Sequence, residues 1–189
     1  MITGAAFAEQ ARSGSYNGIT YDKLDCQGFV ERVLKDSGIR KPDGSVYNWK
    51  GSNSMWRNIP GWRGTVADAI STFGSIPMGA WVFIVKHDGG EISRGYHDDK
   101  GNASHVGIYC NEGPDSVRDS TRSSKRDGVG YRPLGSFTHV LLPDMIEYIK
   151  EETESISLQE AAHILRDPDS SDADWINALL TLVNIMKGV

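Results

Sequence analysis

The chain has 189 residues, 39% of them hydrophobic and 24% charged, and a formal net charge of −5. This is the composition of one globular domain, with length for a sizeable core and a small appendage. The acidic balance and scattered basic residues, with no block longer than Ser124-Lys125-Arg126, argue against nucleic acid or an anionic membrane as partner, and two cysteines, Cys26 and Cys110, make no disulfide framework.

The start, Met1 to Ala6, lacks a basic region followed by a long apolar core, so no signal peptide is expected. No apolar run is long enough to span a bilayer, so no membrane insertion is expected. Residues 3–12 read as a short helix, capped by Thr3, with Ala5, Ala6, Phe7, Ala8 and Ala11 apolar. A turn-rich stretch from Ser13 to Asn17 leads through Tyr21 to the main helix signal. There Asp25 is a good N-cap, Phe29, Val30, Val33 and Leu34 recur at helical spacing, and Gly38 stands where a C-terminal glycine belongs. Residues 45–63 read as irregular. Their Tyr47, Trp49, Trp56 and Trp62 suit a core cover better than a sugar-binding wall. Thr65 to Phe73 is a helix ending at Gly74.

The second half reads as strands. Ala80 to Lys86 is an apolar, buried strand. His87 to Asn102 is a polar hairpin, and its His87, Asp88, Glu91, His97, Asp98 and Asp99 match no firm metal-ligand spacing. Ala103 to Cys110 follows, with His105, Gly107 and Tyr109 on one face and Val106, Ile108 and Cys110 on the other. Shorter strands fall at about 115–120, 128–133 and 137–142. Helices followed by antiparallel strands give an α+β class. Two domains are expected: residues 1–145, and an acidic helical appendage over residues 146–189. In the appendage Ser157-Leu158-Gln159-Glu160 and Ser171-Asp172-Ala173-Asp174 open two helices of a hairpin. Trp175, Leu179, Leu182 and Met186 share an apolar stripe there. It packs on its own domain, or serves a protein partner or self-association.

The chemistry centres on Cys26. A thiol in the first turn of a helix feels the positive end of the helix dipole, which favours thiolate. The same free N–H groups can hold an oxyanion. A thiol nucleophile also needs a base, and His105 on its strand is the candidate among five histidines. Together they allow acyl transfer through a thioester, with no metal and no cofactor.

Asp25-Cys26-Gln27-Gly28-Phe29-Val30, then Pro77-Met78-Gly79-Ala80-Trp81-Val82-Phe83, then Ser104-His105-Val106-Gly107-Ile108-Tyr109, resemble the motifs of the NlpC-type cell-wall cysteine peptidases. The resemblance covers roughly residues 5–142 and has a phage or prophage flavour. It implies a papain-like fold, N-terminal helices packed on an antiparallel sheet, and hydrolysis of stem or cross-bridge peptides of peptidoglycan after release or delivery of the enzyme to the wall. It maps the nucleophile onto Cys26 and the base onto His105, and lines the cleft with Tyr21, Asp25, Gln27 and Ser104. Gln27 stands where the family has serine. The third catalytic residue belongs on the strand after His105. A simple register places Arg118 there, but arginine has only donors. Asp119 can accept the imidazole N–H if a bulge turns it to the right face, and it is taken as the third residue, with His139 or a backbone carbonyl as substitutes. An N-acetylmuramoyl-L-alanine amidase, or a non-catalytic wall- or virion-binding module, are the alternatives.

Overall fold

A computed structural model describes residues 2–87, 96, 98–110 and 113–148, together with residues 163, 165, 171, 174–176, 178 and 179. The chain divides into two compact units, Met1–Ile149 and Lys150–Val189.

In the first unit each long helix starts on an acceptor that the sequence supplies. Helix α1 (Gly4–Arg12) follows the short strand β1 (Ile2–Thr3), and Thr3 Oγ1 accepts from the Ala6 amide at 3.2 Å. Helix α2 (Cys26–Asp36) begins at Asp25, whose carboxylate accepts the Gly28 N–H at 2.7 Å. It buries Phe29, Val30, Val33 and Leu34 completely, and each such side chain stabilises by about 1.5–3 kcal/mol. That burial far exceeds the intrinsic preference of three turns for helix, so packing holds α2 in place. Helix α4 (Val66–Phe73) opens on a reciprocal Thr65–Asp68 capping box and ends at Gly74, in the left-handed region at φ 79°.

Two elements depart from the irregular reading of residues 45–63. Helix α3 spans Ser52–Asn58, and strand β2 spans Gly61–Thr65. Polar side chains dock α3. Ser52 Oγ donates to the Ala103 carbonyl at 2.6 Å, Asn53 accepts the Ala103 N–H at 2.8 Å, and Trp56 Nε1 donates to the Lys100 carbonyl at 2.9 Å. Such bonds leave no apolar period in the sequence. Trp56 is buried in the core, as a cover residue should be.

The remaining strands are β3 (Trp81–Lys86), β4 (Asn102–Tyr109), β5 (Val117–Arg122), β6 (Asp127–Arg132), β7 (His139–Pro143) and β8 (Ile146–Glu147). Among the described residues, six strands form one antiparallel sheet in the order β2-β7-β3-β4-β5-β6. The class is therefore α+β. The central β3 splits the core by alternation. Trp81, Phe83 and Val85 join Phe7, Phe29, Leu34, Met55, Val106 and Ile108 in one cluster, which gathers α1, α2 and α3. Val82 joins Ala69 of α4, Val117, Phe137 and Val140 in the other. Strand β8 pairs in parallel with β1, which places Ile146 and Glu147 in the first unit.

In the second unit Ser171 and Asp174 make the expected cap. Ser171 Oγ donates to Asp174 at 2.6 Å and accepts the Asp174 N–H at 3.3 Å. The expected helical hairpin otherwise lies outside the described residues, as do Asp88, Glu91 and His97 of the polar hairpin. Among the described residues no helix is long and apolar enough to cross a membrane.

Candidate active site

Cys26 is the first residue of α2 and is 7% exposed. The segment that leads into it is fastened to the β5–β6 hairpin. The Tyr21 amide donates to Asp127 Oδ1 at 3.2 Å, the Val129 amide donates to the Ile19 carbonyl at 3.3 Å, and Ser120 Oγ donates to the Leu24 carbonyl. These ties bring the helix end to the strands that carry the other two groups.

His105 lies on β4. The β3–β4 register runs Ile84↔His105 and then Val85↔Ala103, so Ser104 is an extra residue, a β-bulge directly before the histidine. Bulges re-aim the side chains beside them. His105 Nε2 stands 2.5 Å from Asp119 Oδ2. With Nε2 so engaged, Nδ1 is the ring nitrogen left for Cys26. Burial opposes a charge on the ring. Hydrogen bonds with the Asp119 carboxylate and the Cys26 sulfur, and their negative charge, outweigh it and raise the His105 pKa to about 9. The thiol, the imidazole and the carboxylate therefore meet.

Asp119 reaches His105 without a bulge in its own strand. Ile108 pairs with Arg118, and Tyr109 with Val117. Continuing that register puts Asp119 opposite Gly107, on the face that His105 shares. Gly107 leaves the space: a Cβ there would sit 3.2 Å from Asp119 Cβ and 2.6 Å from Val117 Cγ1. The expected need for a bulge is thus corrected: the plain β4–β5 register already gives Asp119 the face of His105, and the bulge at Ser104 lies outside the His105–Gly107 stretch that Asp119 faces. Arg118, placed by the simple register, points to the opposite face. There it donates to Asn17 Oδ1 at 2.6 Å and stacks over Tyr131. His139 is also elsewhere. Its ring packs edge-on to Trp56 and near His87, and burial, aided by His87, lowers its pKa.

Asp119 is fully buried, and a carboxylate there needs compensating charge. Besides His105 it has two arginines that the sequence reading did not single out. Arg126 pairs with Oδ1, and Arg132 Nη1 lies 3.5 Å from Oδ2. Arg132 could have been found by alternation. Asp119 pairs with Gly130, and Arg132 is two residues further along the same face. Arg126 sits in the turn, where no period applies.

The four expected cleft residues separate. Asp25 and Tyr21 line a cleft of about 430 Å³ together with Asp22, Leu24, Gly28 and Arg122. Tyr21 also touches the nucleophile. Burial first, then the charges of Cys26 and Asp25 and a hydrogen bond with Cys26, push its phenol up to about 12. Ser104, the bulge residue, is exposed, and its Oγ lies 3.3 Å from the Ile84 carbonyl. Gln27 is not free to hold a substrate. Its amide donates to Glu31 at 2.9 Å and to the Trp49 carbonyl, and its oxygen accepts the Gly51 N–H. It fastens the 49–51 segment to α2. Cys110 is fully buried, and burial raises its thiol to about 12, which leaves it inert. Among the described residues no group of three or more His, Cys, Asp or Glu is placed to hold a metal ion.

No family model matches the chain, and comparisons with curated proteins and with solved structures give no match.

Proposed function

We propose that the protein is a cysteine peptidase of papain-like type that hydrolyses stem or cross-bridge peptides of bacterial peptidoglycan. The observation that carries this reading is the contact of one imidazole with both a helix-leading thiol and a buried carboxylate. The substrate class comes from the resemblance of the Cys26 and His105 segments to the NlpC-type motifs.

In this account Cys26 Sγ attacks the carbonyl carbon of the scissile bond. The first-turn amides of α2, with that of Cys26 foremost, face the oxyanion that forms. The imidazolium of His105 gives its proton to the leaving amine, and a thioester remains on Cys26. His105 then takes a proton from water, which attacks the thioester and frees the acid. Asp119 accepts the Nε2–H throughout, keeping Nδ1 toward the sulfur and stabilising the charged ring. Tyr21 and Asp25 border a cleft whose lining residues include neither Cys26 nor His105, and Tyr21 reaches Cys26 from it. The enzyme acts on the wall after release or delivery.

Digestion of purified peptidoglycan, followed by mass analysis of the fragments, tests the reading. A cut within the stem or cross-bridge peptide is the expected product, lost in His105→Ala. A freed amine at the lactyl linkage would make the protein an amidase. Intact walls after exposure to active-site-reduced protein would leave a binding module.

A further inference from the structure

We propose that Arg126 is a positioning residue that sets the pH at which His105 releases its proton, by sharing the Asp119 carboxylate with it. The inference rests on the peptidase reading for its consequence, since a proton shuttle works best when its pKa is near the working pH. The geometry stands without that reading.

One buried carboxylate serves three cationic groups. Oδ2 meets His105 Nε2 at 2.5 Å and Arg132 Nη1 at 3.5 Å, while Oδ1 is taken by Arg126. The groups in contact with the imidazole are Cys26 from α2 and Asp119 from β5. Tyr21 lies behind Cys26, and Arg132 from β6 and Arg126 from the turn between β5 and β6 act on the ring through the Asp119 carboxylate. Phe137 adds an apolar ring at 5.9 Å. Each guanidinium offsets part of the carboxylate's negative charge at the ring. An Asp–His pair left alone in a buried site would hold its proton more tightly than this one.

Arg126 is the better placed of the two. Its Nη1 also donates to the Tyr131 carbonyl at 3.1 Å, which fixes the side chain across the hairpin. The space it fills is made by Gly130, the residue paired with Asp119. A Cβ at Gly130 would lie 2.7 Å from Arg126 Cδ. Glycine on either side of Asp119, Gly107 and Gly130, thus admits the histidine contact on one side and the arginine contact on the other. Arg132 is turned partly away, donating to Ser136 Oγ at 2.5 Å.

The test follows the titration of the His105 ring in full-length, carbon-13-labelled protein by NMR, with the signal assigned by its loss in His105→Gln. Arg126→Gln keeps an amide donor for Oδ1 but removes the charge. It should move the His105 titration upward by about one pH unit or more, while Arg126→Lys stays near the wild type. Gly130→Ala evicts the guanidinium without changing the chain's charge and should move the titration the same way, which covers a failure of Arg126→Gln to fold. A titration that stays in place or falls in the folded variants overturns the proposal. This readout needs no wall substrate, so a protein with no peptidase activity can still pass or fail it.

Discussion

Asp119 approaches His105 on the diagonal: it stands across from Gly107, two residues along β4, and its Oδ2 lies 2.5 Å from the imidazole Nε2. A diagonal pair on one sheet face is within reach of such side chains. Asp119→Asn keeps the shape but not the charge, and should cut peptide release by about 10²- to 10⁴-fold. Asp119→Ala leaves Arg126, Arg132 and His105 without their shared partner. It should lower stability by about 3–5 kcal/mol, read by chemical denaturation. Wild-type stability in the alanine variant would show that the arginines find other partners.

Stability should depend on pH through His105. Its folded pKa is raised to about 9 from an ordinary value of 6.5, so the folded state binds the proton more tightly than the unfolded chain. The stabilisation is fully present below about pH 6.5 and is lost as pH rises through about 9. Denaturation midpoints of the wild type should fall across that window more steeply than those of His105→Asn. Parallel curves for the two proteins would contradict the assignment.

Gly107→Ala should be poorly tolerated. The added Cβ would meet Val117 Cγ1 at 2.6 Å, Asp119 Cβ at 3.2 Å and the Arg118 carbonyl at 3.3 Å. Overpacking of this kind costs about 1–3 kcal/mol, and here it pushes directly on the carboxylate. Thermal unfolding and peptide release should both decline.

Gln27→Ser introduces the serine of the NlpC-type motif that the Cys26 segment resembles, yet it should destabilise rather than improve the site. The change removes the three hydrogen bonds that Gln27 makes to Glu31, Trp49 and Gly51. The bonds to Glu31 and Trp49 are part-buried and that to Gly51 is exposed, so the loss should be about 0.5–1.5 kcal/mol for each of the first two and less for the third. Faster hydrogen exchange at the Gly51 amide is the specific sign to look for.

The parts of the fold that were legible are those written in local periods and caps. Asp25 before Cys26, Thr65 before Val66 and Gly74 after Phe73 mark helix ends that the structure places within a residue. Alternation put His105 and Cys110 on opposite faces of one strand. Helix α3 was illegible because its apolar contribution is two adjacent residues, Met55 and Trp56, rather than a periodic stripe, and polar bonds to β4 and to the Lys100 carbonyl complete its docking. Strand β2 hid behind Gly61 and Gly64, which carry no strand signal. The face of Asp119 was misread because it depends on the pairing register between β4 and β5, and one residue of slip turns every side chain over. Arg126 was missed because turn geometry, rather than sequence spacing, brings it to Asp119.

The most direct measurement compares wild-type protein and Cys26→Ala on purified bacterial cell walls, with melting temperature recorded for both. The account predicts that the variant melts like the wild type and releases no peptide fragments. Undiminished release by Cys26→Ala would contradict it.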